Sequence, residues 1–225
     1  MTVRLGILVF PHVQQLDLTG PYEVFASAKS AEVDLVWKTD DPIVSSTGLR
    51  LQPTMTFAEC PPLDVLCIPG GVGVNVLLTD ETVLDFVREQ ARAARFVTSV
   101  CTGSLVLGAA GLLRGRRATT HWNALDFLPC FGATPVEGRV VQDGNLITAG
   151  GVTSGIDFGL VVISELLGQT EAETIQLVLE YAPAPPFTAG TPKEASPGIL
   201  AAARERLAGS RAQREEILAG MMVRN

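Results

Sequence analysis

The feature that most limits what this chain can fold into is a set of short apolar runs, each stopping abruptly and followed by a helical pattern. VRLGILVF (3–10), DVLCI (64–68) and FVTSV (96–100) are too short for helices. They also lack the polar alternation of a strand with one wet face, so they read as strands buried on both sides. Residues 82–94 follow with Val83, Phe86, Val87 and Gln90 at helical spacing. Apolar strands alternating with helices predict an α/β fold, a layered sandwich around a mainly parallel central sheet.

Between these anchors the pattern is readable at lower resolution. PHVQQLDLTGP is expected as a loop, with Pro21 in the first turn of a helix over 22–29. A strand over 33–38 and a hairpin over 43–52, turning near Thr47-Gly48, come next. The helix leaving residue 101 should run over 103–113, and a short strand over 117–120 precedes His121-Trp122 and a helical turn or two. Asp143-Gly144-Asn145 marks a second hairpin between 139–142 and 146–148. Helices are expected over 154–167 and 171–180, then APAPPF (182–187), too proline-rich for either element, then a helix or helix pair over 199–221. The whole chain, 1–225, reads as one domain in which about 183–225 is a proline-rich segment and helical tail.

Composition removes several function classes. The formal charge of −7, with only Arg114, Arg116 and Arg117 close together, excludes an electrostatic groove for nucleic acid or anionic lipid. No apolar stretch is long enough for a membrane span, and residues 5–10 are too short for a signal-peptide core, so a soluble cytoplasmic protein is expected. The four cysteines are scattered without a C-x-x-C pair, which predicts neither zinc nor a disulfide framework.

In open α/β sheets, sites form at the carboxyl ends of strands. Three such ends carry unusual residues: Asp17 after the first run, Gly70-Gly71 after 64–68, and Cys101 after 96–100. A cysteine entering a helix lies near unpaired N–H groups and the positive end of the helix dipole, both of which favour thiolate. Gly103 permits a sharp strand-to-helix turn, a nucleophile elbow of pattern S-x-C-x-G with Ser99 in the place of the usual first glycine. The competing reading, a buried thiol acting as a small hydrophobe, is the one taken for Cys60, Cys67 and Cys130.

Asp17 can be a helix cap or, if it faces Cys101, half of a pair that shares a proton and works as general acid and base. The amides of Gly70, Gly71 and Thr102 are candidate oxyanion donors, with a turn glycine pair as the alternative. GGVGVNV does not complete a dinucleotide fingerprint, because Val76 stands where the third glycine belongs. His121 follows a strand and is kept as a site neighbour, with a satisfied, partly buried histidine as the commoner outcome; His12 is expected in solvent.

Taken together, QQLDLTGP, CPPLDVLCIPGG, TSVCTGSLVLGAAGLL, RATTHW and LEYAPAPPF resemble the PfpI-like branch of the class I glutamine amidotransferase-like superfamily, over nearly the whole chain. Within that branch the combination is most similar to the isocyanide hydratases. The resemblance implies a flavodoxin-like sandwich, a homodimer, no metal or organic cofactor, and addition of water to an isocyanide to give an N-substituted formamide. By position it implies Cys101 as nucleophile, Asp17 as general acid/base and Thr102 as a neighbour required for the chemistry; Val152 would suit an apolar pocket wall. Thr102 stands where protease-like members carry histidine, no H-x-E pair occurs late in the chain, and Asp17 stands where glyoxal-acting members carry glutamate. Amidase, protease and glyoxalase activities therefore rank below hydration. A ligand-sensing module related to the effector domains of bacterial transcription regulators, and a cysteine redox sensor, are the competing functions.

Overall fold

The computed structural model describes residues 2–222. In chain order the elements are β1 (Val3–Leu8), α1 (Gln15–Ala26), β2 (Ala31–Trp37), β3 (Ile43–Val44), β4 (Arg50–Leu51), β5 (Met55–Thr56), β6 (Val65–Ile68), α2 (Val74–Leu77), α3 (Glu81–Ala93), β7 (Phe96–Val100) and α4 (Gly103–Ala109). There follow β8 (Arg117–Ala118), a 3₁₀ helix (Trp122–Phe131), β9 (Thr134–Pro135), β10 (Val140–Asp143), β11 (Leu146–Ala149), α5 (Ser154–Leu167), α6 (Gln169–Val178) and α7 (Pro197–Met222).

Seven strands form the central sheet in the order β10-β11-β7-β6-β1-β2-β5. Every neighbouring pair is parallel except β10 with β11, the hairpin signalled by Asp143-Gly144-Asn145. The apolar runs are central, as their composition requires: Ile7, Val65, Cys67, Ile68 and Val100 are wholly buried. Right-handed crossovers put α1, on the way from β1 to β2, and α3, on the way from β6 to β7, on opposite faces, since the two steps run in opposite directions along the sheet. Helix α5 joins α1 on one face, while α2, α4, the 3₁₀ helix and α7 pack together on the other. The result is the flavodoxin-like three-layer sandwich.

β1 and β6 are neighbours whose following connections diverge, so a crevice opens beyond their carboxyl ends. Two contacts close the floor of that crevice: Val13 bridges Gly71, and the Gln14 N–H donates to the Gly70 carbonyl at 2.8 Å. The next strand, β7, delivers Cys101 beside them.

Three local differences from the sequence pattern matter. Asp17 does not lie in a loop; α1 begins at Gln15 and holds Asp17 in its first turn, while Pro21 sits inside the helix. Proline lacks an N–H, so its position at the seventh residue removes only the bond that the Asp17 carbonyl would accept, and the helix continues. Helix α4 ends at Ala109 rather than 113, because Gly111 turns the chain at φ 84°. The strand expected over 117–120 is reduced to β8, paired with β9 outside the main sheet, and the 199–221 tail is part of one long helix, α7. β5 and α2 are too short to leave a periodic signature.

The elbow also needs an empty position after Cys101. A Cβ on Gly103 would lie 1.9 Å from the Ile68 carbonyl oxygen, a contact with backbone that no side-chain rotation relieves. Gly103→Ala is expected to destabilise the fold by roughly 1–3 kcal/mol, the usual cost of overpacking. Denaturant unfolding checks this, and an unchanged midpoint would mean that the strand and elbow are not in the close contact described.

Candidate active site

Cys101 joins β7 to α4 with φ 55°, in the left-handed region that residues bearing a side chain rarely adopt. The conformation costs on the order of 1–2 kcal/mol and is held by its surroundings. Its N–H donates to the Ala149 carbonyl of β11 at 3.0 Å, and its carbonyl accepts from Thr120 Oγ1 at 2.9 Å and Ser104 Oγ at 3.5 Å. Both backbone polar groups are thus satisfied while the sulfur is lifted out of the strand. The residue is only 6% exposed.

Asp17 is completely buried at the N-terminal turn of α1, where the helix dipole favours a negative charge. Oδ2 accepts from the Gly70 N–H at 2.9 Å, and the carboxyl and the Cys101 thiol act on each other's ionisation. Oδ1 is buried without a further protein partner. Thr102 Oγ1 accepts from the Gly71 N–H at 3.1 Å, and its hydroxyl proton has two acceptors, the Gly71 carbonyl at 3.4 Å and the Cys101 sulfur. The Thr102 N–H also faces that sulfur.

These groups converge on Gly70. A Cβ there would lie 2.6 Å from Thr102 N, 2.7 Å from Thr102 Oγ1 and 2.8 Å from Asp17 Oδ2. The glycine pair is therefore more than a turn. Its amides, anticipated in the sequence as oxyanion donors, are here given to side chains: Gly70 N–H to the Asp17 carboxyl and Gly71 N–H to the Thr102 hydroxyl. The Thr102 N–H, also expected as an oxyanion donor, faces the Cys101 sulfur instead.

Burial pushes the Asp17 carboxyl up to about 7, against the lowering effect of its bonds from Gly70 and Cys101. Burial also raises the Cys101 thiol well above its ordinary range, Asp17 adds to the rise, and the Thr102 N–H and hydroxyl oppose it. Burial makes both groups resist ionisation, and Asp17 adds to the resistance of Cys101, so the pair retains a shared proton through neutral pH. The sequence expectation of an activated thiolate is refined accordingly: negative charge on sulfur is attained when the proton lies on Asp17.

Val152 is half-buried between Gly151 and the start of α5, in the connection that follows Ala149, the partner of the Cys101 amide. His121 caps the 3₁₀ helix, its Nδ1 accepting from the Asn123 N–H at 3.3 Å, and burial with the positive charge of Arg214 lowers it to about 4. It is a neutral imidazole at pH 7. His12 is exposed, with φ 62°. Cys67 and Cys60 are pushed up by burial to about 12 and 11, and Cys130 is exposed. Sequence reasoning missed Thr120, although TTHW carried it, and missed Asn75 and Arg214, which carried no signal. An open groove of about 690 Å³ lies between the 3₁₀ helix and α7, lined by Trp122, Asp126, Arg204 and Arg211 among others; Asp17, Cys101 and Thr102 do not line it. Among the described residues no group of three or more His, Cys, Asp or Glu is arranged to hold a metal, and no helix is long and apolar enough to cross a membrane.

A flavodoxin-like sheet with cysteine at the elbow beyond its topological switch point marks the protein as a member of the cysteine-bearing α/β class. More specifically, the chain belongs to the DJ-1/PfpI family, whose model matches residues 3–165. It is 59% identical over 217 residues to the isonitrile hydratase of Pseudomonas putida, covering 96% of this chain and 95% of that protein. A crystal structure of a ThiJ/PfpI family protein from Pseudomonas syringae superposes with a TM-score of 0.94 at 44% identity, covering 97% of this chain and 91% of the other. The HTH-type transcriptional regulator GbdR of Pseudomonas aeruginosa is 32% identical over 139 residues, 61% of this chain and 38% of the regulator.

Two outcomes follow from the site geometry. Gly70→Ala displaces both Asp17 and Thr102, and a displacement near 1 Å is expected to lower any Cys101-dependent turnover about 100-fold. Undiminished turnover would place the reacting groups elsewhere. Separately, a carboxyl raised from 3.8 to about 7 on folding binds a proton in the native state that the unfolded state has lost. It therefore lowers stability progressively as pH rises from about 4 to 7, with the full cost present above 7. Asp17→Asn should gain stability over the parent by a few kcal/mol at pH 8 and lose that advantage by pH 4, at about 1.4 kcal/mol per pKa unit. His121 works in the opposite direction between its unfolded 6.5 and folded value of about 4, but it is common to both proteins and cancels. Unfolding at a series of pH values reads the difference directly; a pH-independent difference would refute the raised carboxyl.

Proposed function

We propose that the protein hydrates isonitriles to N-substituted formamides. The observation that carries the reading is the buried Asp17 carboxyl, held protonatable at neutral pH and coupled to the Cys101 thiol. The 59% identity to an isonitrile hydratase across nearly the full length of both chains supports the same choice of reaction.

Chemically, the terminal carbon of an isonitrile accepts a nucleophile and then needs a proton. The Cys101 thiolate attacks that carbon, forming a C–S bond, and Asp17 donates its proton to the same carbon, giving a thioimidate. Asp17, now ionised, removes a proton from water as the oxygen adds to the carbon, and the nitrogen receives that proton. The tetrahedral adduct then collapses: the hydroxyl proton returns to Asp17, the C–S bond breaks and thiolate and formamide are released. Atoms balance as one isonitrile plus one water. The Thr102 N–H and hydroxyl, already facing the sulfur, stabilise charge on sulfur during attack and departure. Val152 and the neighbouring connection supply apolar wall for the substrate's substituent. The same reading takes the protein as a cytoplasmic homodimer working with water and no cofactor.

The ligand-sensing alternative has the likeness to GbdR behind it. Against it, α7 is docked on the domain: Leu218 is buried, and Arg211 reaches the Asn123 carbonyl at 2.6 Å and the Asp126 carboxylate at 2.6 Å. A helix so engaged is not presented as a groove-reading element.

Incubating the protein with cyclohexyl or aryl isonitriles and following formamide by mass spectrometry tests the proposal. Cys101→Ala should abolish turnover, and Asp17→Asn should reduce it by roughly 10²–10⁴, the range for a lost general acid and base. Tight binding without turnover by the parent would instead favour the sensing module.

A further inference from the structure

The carbonyl of Cys101 belongs to neither of the elements it joins. The last register pair of β7 with β11 is Val100 with Ala149, and with β6 it is Ser99 with Ile68, so the residue lies beyond both ladders. On the helix side, the Leu105 N–H in the first turn of α4 donates to the Thr102 carbonyl at 3.0 Å. A buried carbonyl left out of strand and helix alike needs another donor. Among the described residues two hydroxyls reach it: Thr120 Oγ1 at 2.9 Å, and Ser104 Oγ at 3.5 Å, the outer limit of such a bond. Thr120 therefore carries the contact.

The grip on that oxygen sets a second group. The Cys101–Thr102 peptide bond is trans and planar, so its carbonyl and the Thr102 N–H point in opposite directions from one rigid unit. Fixing the oxygen at Thr120 fixes where the amide points. The Thr102 nitrogen is the atom that a Cβ on Gly70 would meet at 2.6 Å, with Asp17 Oδ2 at 2.8 Å from the same point. One end of the peptide unit thus lies against Thr120 and the other at the centre of the site. A hydrogen bond accepted by the carbonyl also polarises the amide, which makes its N–H the stronger donor.

Thr120 is itself firmly placed. It is 3% exposed and follows Thr119, whose N–H donates to Thr148 Oγ1 at 2.9 Å and whose hydroxyl donates to the Gly138 carbonyl at 3.3 Å. Thr148 precedes Ala149 on β11, and the Ala149 carbonyl accepts the Cys101 N–H at 3.0 Å. A closed ring of contacts results: Cys101 N–H to Ala149, Thr119 N–H to Thr148, and the Thr120 hydroxyl back to the Cys101 carbonyl. The ring steadies the φ of 55° at Cys101 from the β11 side of β7, while Asp17, Gly70 and Gly71 approach from the side of β6 and β1.

We propose that Thr120 is a positioning residue for the nucleophile: its hydroxyl holds the Cys101–Thr102 peptide so that the elbow stays left-handed and the Thr102 N–H is aimed into the site. Thr120 acts through that amide rather than on the reacting atoms. The inference rests on Cys101 being the nucleophile of the proposed hydration.

Two rates test it, one of them without any isonitrile. Thr120→Val removes the hydroxyl and keeps the branched shape. It should lower kcat for isonitrile hydration by about 10–100-fold with KM little changed, as when a contact made in the transition state is misdirected. It should also slow iodoacetamide alkylation of Cys101 at pH 7, read by peptide mass spectrometry, by about tenfold, the equivalent of one pKa unit at the sulfur. Thr120→Ser, which keeps the hydroxyl, should restore most of both rates, and Thr120→Ala serves if Thr120→Val does not fold. A hydroxyl that only satisfies a buried carbonyl would affect stability alone. Parental rates in a folded Thr120→Val or Thr120→Ala protein, with or without a lower unfolding midpoint, therefore overturn the proposal, as does a Thr120→Ser protein as slow as Thr120→Val. Alkylation that depends on the Thr120 hydroxyl, in a protein without isonitrile turnover, would uphold the positioning role while refuting hydration.

Discussion

The carboxyl of Asp17 buried against the Cys101 thiol is the contact on which the rest of the site depends. Neither group is placed there cheaply: the carboxyl loses its hydration, and the thiol sits on a left-handed residue. What makes the arrangement tolerable is that the two share one proton, so the interior holds at most one negative charge between them at neutral pH. The Gly70 N–H and the first turn of α1 stabilise that charge on carbon-bound oxygen; the Thr102 N–H and hydroxyl stabilise it on sulfur. The raised carboxyl lies lower than the raised thiol, and the donors at the sulfur oppose that difference rather than remove it.

The fold supplies this contact through its sheet order rather than through local sequence. β1, β6 and β7 are adjacent although the end of β1 at Leu8 precedes the starts of the other two, Val65 and Phe96, by 57 and 88 positions, and each contributes one part at its carboxyl end. Asp17 and Gly70 are 53 residues apart, yet their hydrogen bond is 2.9 Å. Such accuracy follows from the parallel register, in which Ile7 lies opposite Cys67 and Cys67 opposite Thr98. The strands are covered on both faces, so a slip of one residue would expose none of them to water and is opposed instead by the fit of the elbow against Ile68.

Much of this was legible in the residues, for identifiable reasons. Residues 96–100 and 154–167 match β7 and α5 because an uninterrupted apolar run and a helical period leave little choice. The position of Asp17 was misread because Pro21 looked like a helix start, and only tertiary packing shows that α1 runs through it. The glycine amides were assigned to an oxyanion for want of knowing that Asp17 and Thr102 already occupy them. Arg214 and Asn75 were out of reach altogether: 139 residues separate them, and a charged residue in an amphipathic tail gives no sign that its side chain is buried.

Cys67 supplies the internal comparison for the proposed nucleophile, Cys101. Both are buried, both feel Asp17, and both are raised by burial. Cys67 lies inside β6, where the backbone amides are engaged by β1 and β7, and a Thr98 contact is the lowering influence on its sulfur. Cys101 lies one residue past its strand, so the amide and hydroxyl of Thr102 turn toward its sulfur. The two thiols differ in the supply of donors at the sulfur, which only the strand-to-helix turn leaves free, and this is what the proposed nucleophilic role of Cys101 draws on.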